Sequence, residues 1–161
     1  LPVILARPFN TYGPRQSARA IIPTIITQLV NKPGEIKLGS LRPTRDFNYV
    51  EDVCRGFIAL AKCDKAIGSV VNIGSGTEIS IEELANLIID TMEVGTRVIS
   101  DDSRVRPEHS EVERLVCDSG LLRQMTGWEP EITMKKGLAN TLQWFKDDKN
   151  LKKYKSDIYN I

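Results

Sequence analysis

The sequence predicts an α/β fold, the last strands of a parallel sheet joined to a small mixed α/β region. Three observations carry this. The apolar runs at Val3–Ala6 and Val70–Ile73 are short and continuous rather than alternating, as in strands covered on both faces. Other stretches place apolar residues at helical spacing, such as Ile22, Ile25, Ile26 and Leu29. Strands and helices also follow one another along the chain instead of segregating.

Taken in order, residues 3–6 read as a fully buried strand. A helix then runs from about Ile22 to Val30, with Pro23 in its first turn, where proline is tolerated. Lys32-Pro33-Gly34 stops it, and Ile36 and Leu38 form a short strand ending at Gly39. Phe47 to Val50 is a further extended piece. Cys54, Phe57, Ile58 and Ala61 mark a second helix, with Glu51 and Asp52 in the first turn, where acids favour the helix dipole. Val70 to Gly74 is a second buried strand. Ser80-Ile81-Glu82-Glu83 is a capping box that opens a third helix, with Ile81, Leu84, Ala85, Ile88 and Met92 on one face. Arg97-Val98-Ile99 is a short strand, and residues 100–117 show no clear period. Asp118 caps a short helix ending at Gly127. Thr133 caps the last helix, with Met134, Leu138, Leu142 and Phe145 facing inward. The lysine-rich stretch 146–161 reads as a solvated tail. Residues 1–10 and 50–75 are assigned to the parallel sheet, and no linker divides the chain.

Bulk properties narrow the function. The chain has 161 residues, enough for a real core, and its 22 basic and 21 acidic residues give a net charge of +1, which argues against nucleic acid as a partner. No apolar run approaches the ~20 residues of a membrane span. The opening residues lack the charged and cleavage features of a signal peptide. Cys54, Cys63 and Cys117 are scattered and odd in number, which favours small core residues in a reducing, cytoplasmic setting over a disulfide framework.

Three stretches are too polar to be mere connections: Asn10–Gln16, Leu38–Phe47 and Ser100–Asp118. The last is long for a loop without regular structure, which is usually functional or disordered. Arg42, Arg45, Arg104, Arg106 and Arg114 lie in the second and third stretches. Arginine suits phosphate because its planar fork donates two parallel hydrogen bonds and keeps its charge. The alternative is that these arginines pair at the surface with Asp46, Glu108 or Glu111. Gly74-Ser75-Gly76 follows a strand and precedes a helix, but Ile79 stands where the dinucleotide fingerprint needs its third glycine. The loop could still offer its amides or the Asn72 side chain to a ligand. His109, the only histidine, is either a surface residue or a ligand-contacting donor, and it cannot build a metal site with these cysteines. No Ser/His or Cys/His spacing supports nucleophilic catalysis.

Five segments in order, RPFNTYGPRQ, AIIPTIITQLV, IKLGSLRPTRDFNYVEDVCRGFIAL, VNIGSGTEISIEELA and RVRPEHSEVERLVCDSGLLRQMTGWEP, resemble the C-terminal half of extended short-chain dehydrogenases/reductases. The nearest likeness is to NAD-dependent nucleotide-sugar 4,6-dehydratases and their epimerase relatives, and it covers about residues 3–145. The resemblance implies the C-terminal part of a Rossmann-type enzyme: its last parallel strands plus a small substrate-binding domain. It implies that Asn10 contacts the sugar or phosphate. Ile22-Pro23 and the Leu38-Gly39 backbone would flank the base. Arg45 would reach the diphosphate or the nucleotide, Arg106 would bind the diphosphate, and Asn72 would line the nucleotide end; His109, as a ligand-contacting donor, is counted with them among the candidate substrate contacts. Pro8 and Phe9 would lie at the edge of an NAD or NADP cofactor. Asp46 and Asp52 look like framework residues.

The family's mechanism takes hydride from C4 to the cofactor, expels water across C5 and C6, and returns hydride at C6. Its Gly-x-x-Gly-x-x-Gly turn, its Tyr-x-x-x-Lys pair and its acid/base residues lie upstream of the segments matched here. After Tyr12, Tyr49 and Tyr154 the fourth residues are Gln16, Val53 and Ile158. The chain therefore reads as a piece of a larger enzyme, inactive by itself and binding no cofactor alone. The whole family protein is expected to be a homodimer formed through cofactor-domain helices. The run Glu111-Val112-x-x-Leu115-x-x-Asp118 resembles dehydratases acting on mannose nucleotides or N-acetylated sugars, and points toward a UDP-N-acetylhexosamine. Two alternatives remain. One is part of a 4-epimerase, reductase or decarboxylase. The other is a stand-alone, non-catalytic nucleotide-sugar-binding or assembly module.

Overall fold

The computed structural model describes residues 1–105 and 111–154. The chain forms two compact units, each assembled from three stretches: 1–12, 44–79 and 114–134 in the first, 13–43, 80–113 and 135–161 in the second. In chain order the elements are β1 (Leu5–Pro8), β2 (Thr11–Tyr12), α1 (Ile21–Asn31), β3 (Glu35–Leu38), β4 (Thr44–Arg45), β5 (Asn48–Tyr49), α2 (Val50–Ala61) and β6 (Val70–Ile73). They continue with β7 (Ile79–Ser80), α3 (Ile81–Met92), β8 (Arg97–Ser100), β9 (Arg114–Leu115), α4 (Gly120–Thr126), α5 (Met134–Phe145) and α6 (Asp148–Leu151).

In the first unit β1 and β6 pair in parallel, Leu5 opposite Val70 and Arg7 opposite Asn72. A parallel pair needs a crossover, and α2 supplies it on the face carrying Val71 and Ile73. The helix approaches closely because position 56 is glycine: a Cβ there would sit 2.8 Å from Ile73 Cγ2. Leu60, Ala66, Val71, Ile73, Leu122 and Trp128 form the core beneath it. The Trp128 indole N–H donates to the Asp52 carbonyl at 3.1 Å. The Asp52 carboxylate, buried at the start of α2, accepts the Glu131 and Ile132 amides at 3.2 and 3.0 Å and pairs with Arg55. This clamp bears out its reading as a framework residue. Two further small pairings complete the unit: β2 with β5, both parallel and aligned Thr11 to Asn48, and a ribbon in which β4 lies between β7 and β9.

Two expectations need correction here. Val3–Ala6 was expected to be a fully buried strand, but β1 starts at Leu5 and its outer face is open: Leu5 is 50% exposed and its neighbour Val70 is 48% exposed. Only the face bearing Ile4 and Ala6 packs on the core, because among the described residues no further layer covers the other. In α2, the stripe Cys54, Phe57 and Ile58 that marks the helix in the sequence points outward. Asp52, Val53, Gly56 and Leu60 are the buried positions.

In the second unit β3 and β8 pair in parallel, Glu35 opposite Arg97. Gln28 of α1 works like a strand edge, its amide N–H donating to the Lys37 carbonyl at 3.1 Å and its oxygen accepting the Lys37 amide at 2.9 Å. The α3 capping box is present in full: Ser80 Oγ accepts the Glu83 amide and the Glu83 carboxylate accepts the Ser80 amide. Leu84, Ala85, Ile88 and Ile89 are its buried residues. The α5 face carries Leu138, Leu142 and Phe145 inward as expected, with Met134 only half-buried. Within the tail, the described residues 146–154 are more ordered than their composition implies. They include α6, and Tyr154 then packs its ring against Trp144 and Phe145 while donating its hydroxyl proton to the Gln16 carbonyl at 2.7 Å.

Candidate functional site

Asp46 organises the polar side of the first unit. It is fully buried, and its carboxylate accepts five hydrogen bonds: from Asn48 Nδ2 (3.0 Å), the Ser75 amide (3.3 Å), Ser75 Oγ (2.7 Å), the Gly76 amide (2.8 Å) and the Cys117 amide (3.2 Å). A buried charge is tolerated when its lone pairs are filled in this way. The chain has to come close for this. A Cβ at position 74 would lie 2.6 Å from Cys117 Sγ, and Gly76 takes a φ of +78°, a region that favours glycine. The two glycines of Asn-Ile-Gly-Ser-Gly are thus explained by Asp46 and Cys117.

The Asp46 backbone extends the hub. Its amide donates to the Leu115 carbonyl at 3.0 Å, and its carbonyl accepts Asn10 Nδ2 at 3.5 Å and Asn48 Nδ2 at 3.2 Å. The Asn10 carbonyl in turn accepts the Asn48 amide at 2.8 Å. Asn10, just beyond the carboxyl end of β1, is therefore tied to the residue that follows Arg45. Arg45 itself is half-buried, with Nη1 donating to the Thr44 carbonyl at 2.8 Å. Asn72 lies on β6 and donates to the Asp118 carbonyl at 3.3 Å. Asp118 accepts the Gly120 amide at 2.9 Å, but it lies one residue outside the cap expected of it: the N-cap of α4 is Ser119, whose side chain makes no cap bond, and the helix ends at a left-handed Gly127. Pro8 is exposed at the end of β1, while Phe9 is half-buried and donates its amide to the Ile73 carbonyl at 2.9 Å.

The remaining expected residues belong to the second unit. Ile22, Pro23 and Leu38 are buried in the second unit, where Ile22 and Leu38 act as core side chains. Gly39 lies against the Arg104 carbonyl with no room for a Cβ, and the Asp101 amide donates to the Leu38 carbonyl at 2.7 Å. Residues 100–105 are thereby fastened to the end of β3. Arg106 and His109 lie outside the described residues.

Sequence reasoning missed Glu78. Its carboxylate forks onto Arg114, with Nη2 at 2.7 Å and Nε at 2.9 Å, and accepts Thr44 Oγ1 at 2.5 Å. These hydrogen bonds hold the Glu78 carboxyl below its usual pKa, those from Arg114 most of all. Glu78 immediately precedes β7 and Arg114 opens β9, and nothing local in the sequence announces that they meet across 36 residues.

The arrangement suits binding and orientation rather than proton transfer. Tyr12 is buried, donates to the Met134 carbonyl at 3.3 Å and has its pKa raised by burial, with Tyr49 and Asp52 adding to the shift. It therefore holds its proton at neutral pH. Burial, with Asp46 and Asp118 nearby, pushes the Cys117 thiol up to about 12. Among the described residues no group of three or more His, Cys, Asp and Glu side chains could hold a metal ion, and no helix is long and apolar enough to cross a membrane.

The family model for GDP-mannose 4,6 dehydratase matches residues 1–141. The chain belongs to that family. Its relatives include GDP-6-deoxy-D-mannose reductase of Pseudomonas aeruginosa, 33% identical over 87% of this chain and 47% of that protein. UDP-N-acetyl-alpha-D-glucosaminuronate decarboxylase of Bacillus cytotoxicus is 32% identical over 93% of this chain and 48% of the relative. Among solved structures, RMD from Pseudomonas aeruginosa complexed with NADPH superposes with a TM-score of 0.82 at 30% identity, covering 90% of this chain and 48% of that one. Other members of similar likeness are dTDP-glucose 4,6-dehydratases and a UDP-glucuronic acid 4-epimerase. The chain spans about half the length of the relatives it matches. The expected fold, the C-terminal part of a Rossmann-type extended short-chain dehydrogenase/reductase, is borne out.

Structural neighbours in this family carry NADPH or NAD. The Gly74–Gly76 loop of this chain does not fit a dinucleotide's diphosphate. The Ser75 and Gly76 amides already point at Asp46, and the space above Gly74 is filled by Cys117.

Proposed function

We propose that this chain is the nucleotide-sugar-binding portion of an NAD-dependent nucleotide-sugar 4,6-dehydratase whose Tyr-x-x-x-Lys pair and cofactor glycines lie outside it. The first unit then represents the last strands of the cofactor domain. Asn10 holds the sugar-phosphate, Arg45 the diphosphate and Asn72 the nucleotide end. Arg106 and His109 add contacts from the long loop, and Pro8 and Phe9 border the cofactor. The supporting observation is the Asp46 hub, which ties Asn10 to the strand bearing Arg45 at the carboxyl end of β1, where open α/β sheets place ligands. The Glu-Val-x-x-Leu-x-x-Asp run supports a UDP-N-acetylhexosamine. This chain's residues bind and orient the substrate, and no bond-making step is assigned to them.

Calorimetric titration of the 161-residue chain with UDP-N-acetylglucosamine, GDP-mannose and dTDP-glucose tests the reading. The UDP sugar is expected to bind tightest, and Arg45→Ala to weaken it at least ~10-fold, the loss of one charge-assisted hydrogen bond. A folded sample that binds none of the three sinks the proposal.

The kinship with a reductase, a decarboxylase and an epimerase favours a second reading, in which the whole enzyme runs one of those reactions. Product mass separates them. Dehydration gives a product lighter by one water, whereas epimerisation leaves the mass unchanged.

A further inference from the structure

We propose that Glu78 and Arg114 are positioning residues for the diphosphate site: with Thr44, their ion pair cross-braces the short strands that present Arg45. This rests on the reading of Arg45 as a diphosphate ligand.

β4 and β9 are two residues long, with Thr44 opposite Arg114 and Arg45 opposite Leu115. Strands this short make too few ladder bonds to fix their own register. Glu78 stands one residue before β7, the other neighbour of β4. Its carboxylate reaches both remaining strands at once, accepting Thr44 Oγ1 on β4 and the Arg114 fork on β9. A bidentate fork resists rotation as well as separation. The Arg45 guanidinium donates to the carbonyl of Thr44, the residue whose hydroxyl Glu78 accepts. Holding Thr44 therefore holds the base on which the Arg45 side chain rests. The same strand continues into Asp46, whose amide donates to the Leu115 carbonyl and whose carbonyl accepts Asn10.

Charge gives a way to separate geometry from electrostatics. A carboxylate near a diphosphate site repels the ligand unless neutralised, and Arg114 neutralises Glu78. Glu78→Gln leaves Arg114 unpaired and makes the surroundings more positive. An electrostatic role alone would then strengthen anion binding, whereas a positioning role weakens it.

The test titrates the full chain calorimetrically with UDP, GDP and dTDP, for wild type, Glu78→Gln, Arg45→Ala and the reversed pair Glu78→Arg with Arg114→Glu. Amide exchange by NMR is followed at Asp46 in the ribbon and at Phe9 in the β1–β6 pair. Glu78→Gln should weaken binding on the order of fivefold, the weight of one cross-strand charged pair. It should accelerate exchange at Asp46 by a similar factor and leave Phe9 unchanged. The reversed pair should recover both. If wild type binds, Arg45→Ala weakens binding at least ~10-fold and Glu78→Gln binds as well as or better than wild type, this inference is overturned while the Arg45 reading stands. Weakening that the reversed pair does not repair also overturns it. A wild type that binds none of the three diphosphates overturns the Arg45 reading and this inference with it.

Discussion

At Asp46, five donors meet one carboxylate, so its replacement removes more than a charge. In Asp46→Asn one acceptor oxygen becomes an NH2 group facing amides that are themselves donors. We expect a loss of roughly 3 kcal/mol in urea unfolding, as for hydrogen bonds to a charged group combined with stranded donors. Gly74→Ala drives a methyl against the Cys117 side chain and should cost about 1–3 kcal/mol in the same measurement, as for other overpacked cores. Cys117 adds a pH signature. Its thiol ionises near 9 when free and near 12 when folded, so the folded state holds the proton longer. Stability should fall as pH rises between about 9 and 12, and Cys117→Ala should flatten that slope in pH-dependent denaturation. The framework role of Asp46 was legible from its motif. Its partners were not, because Ser75 and Cys117 are 29 and 71 residues away and nothing local announces them.

Among elements, α3 was the most legible because its signals agree. The capping box, acidic first turn and apolar face all place its start at the same residue. Ser80→Ala should cost about 1 kcal/mol, read as a lower unfolding midpoint, since the Glu83 amide loses its acceptor. The helix α2 shows where periodicity misleads. Its register was readable, but its orientation was not, because the sequence offers two apolar stripes. The stripe with Gly56 is buried, since only a residue without a Cβ allows the helix to settle on Ile73. Phe57 and Ile58, the larger side chains, stay outside. β1 carries the same lesson. A continuous apolar run signals a strand able to be covered on both faces, not that both faces are covered within this stretch of chain.

At the scale of the whole molecule, the outer side of β1 leaves apolar surface uncovered among the described residues. The Leu5 amide donates to the Ser69 carbonyl just before β6 and the Phe9 amide to the Ile73 carbonyl at its end, so the alternate amides of Ile4 and Ala6 face the opposite edge, and Pro8 there has none. An edge with exposed Leu5 and Val70 beside it is a template for a further strand. We expect the isolated chain to self-associate with rising concentration in sedimentation velocity, and Leu5→Lys to shift it toward monomer. A wild-type chain that stays monomeric at every concentration would show that this edge is inert.

The two units are threaded through each other in sequence, each returning to the chain three times. Neither exists as a contiguous stretch, so no single cut releases one intact. The first cannot close until Trp128 emerges to cap its core, and the second waits for α5. A ribosome therefore extrudes most of this chain before either core can shut. Such long waits favour slow folding and early exposure of apolar surface. Removing residues beyond α4 would leave the second unit without the helix that carries Leu138, Leu142 and Phe145, however much of its own strand pairing survived.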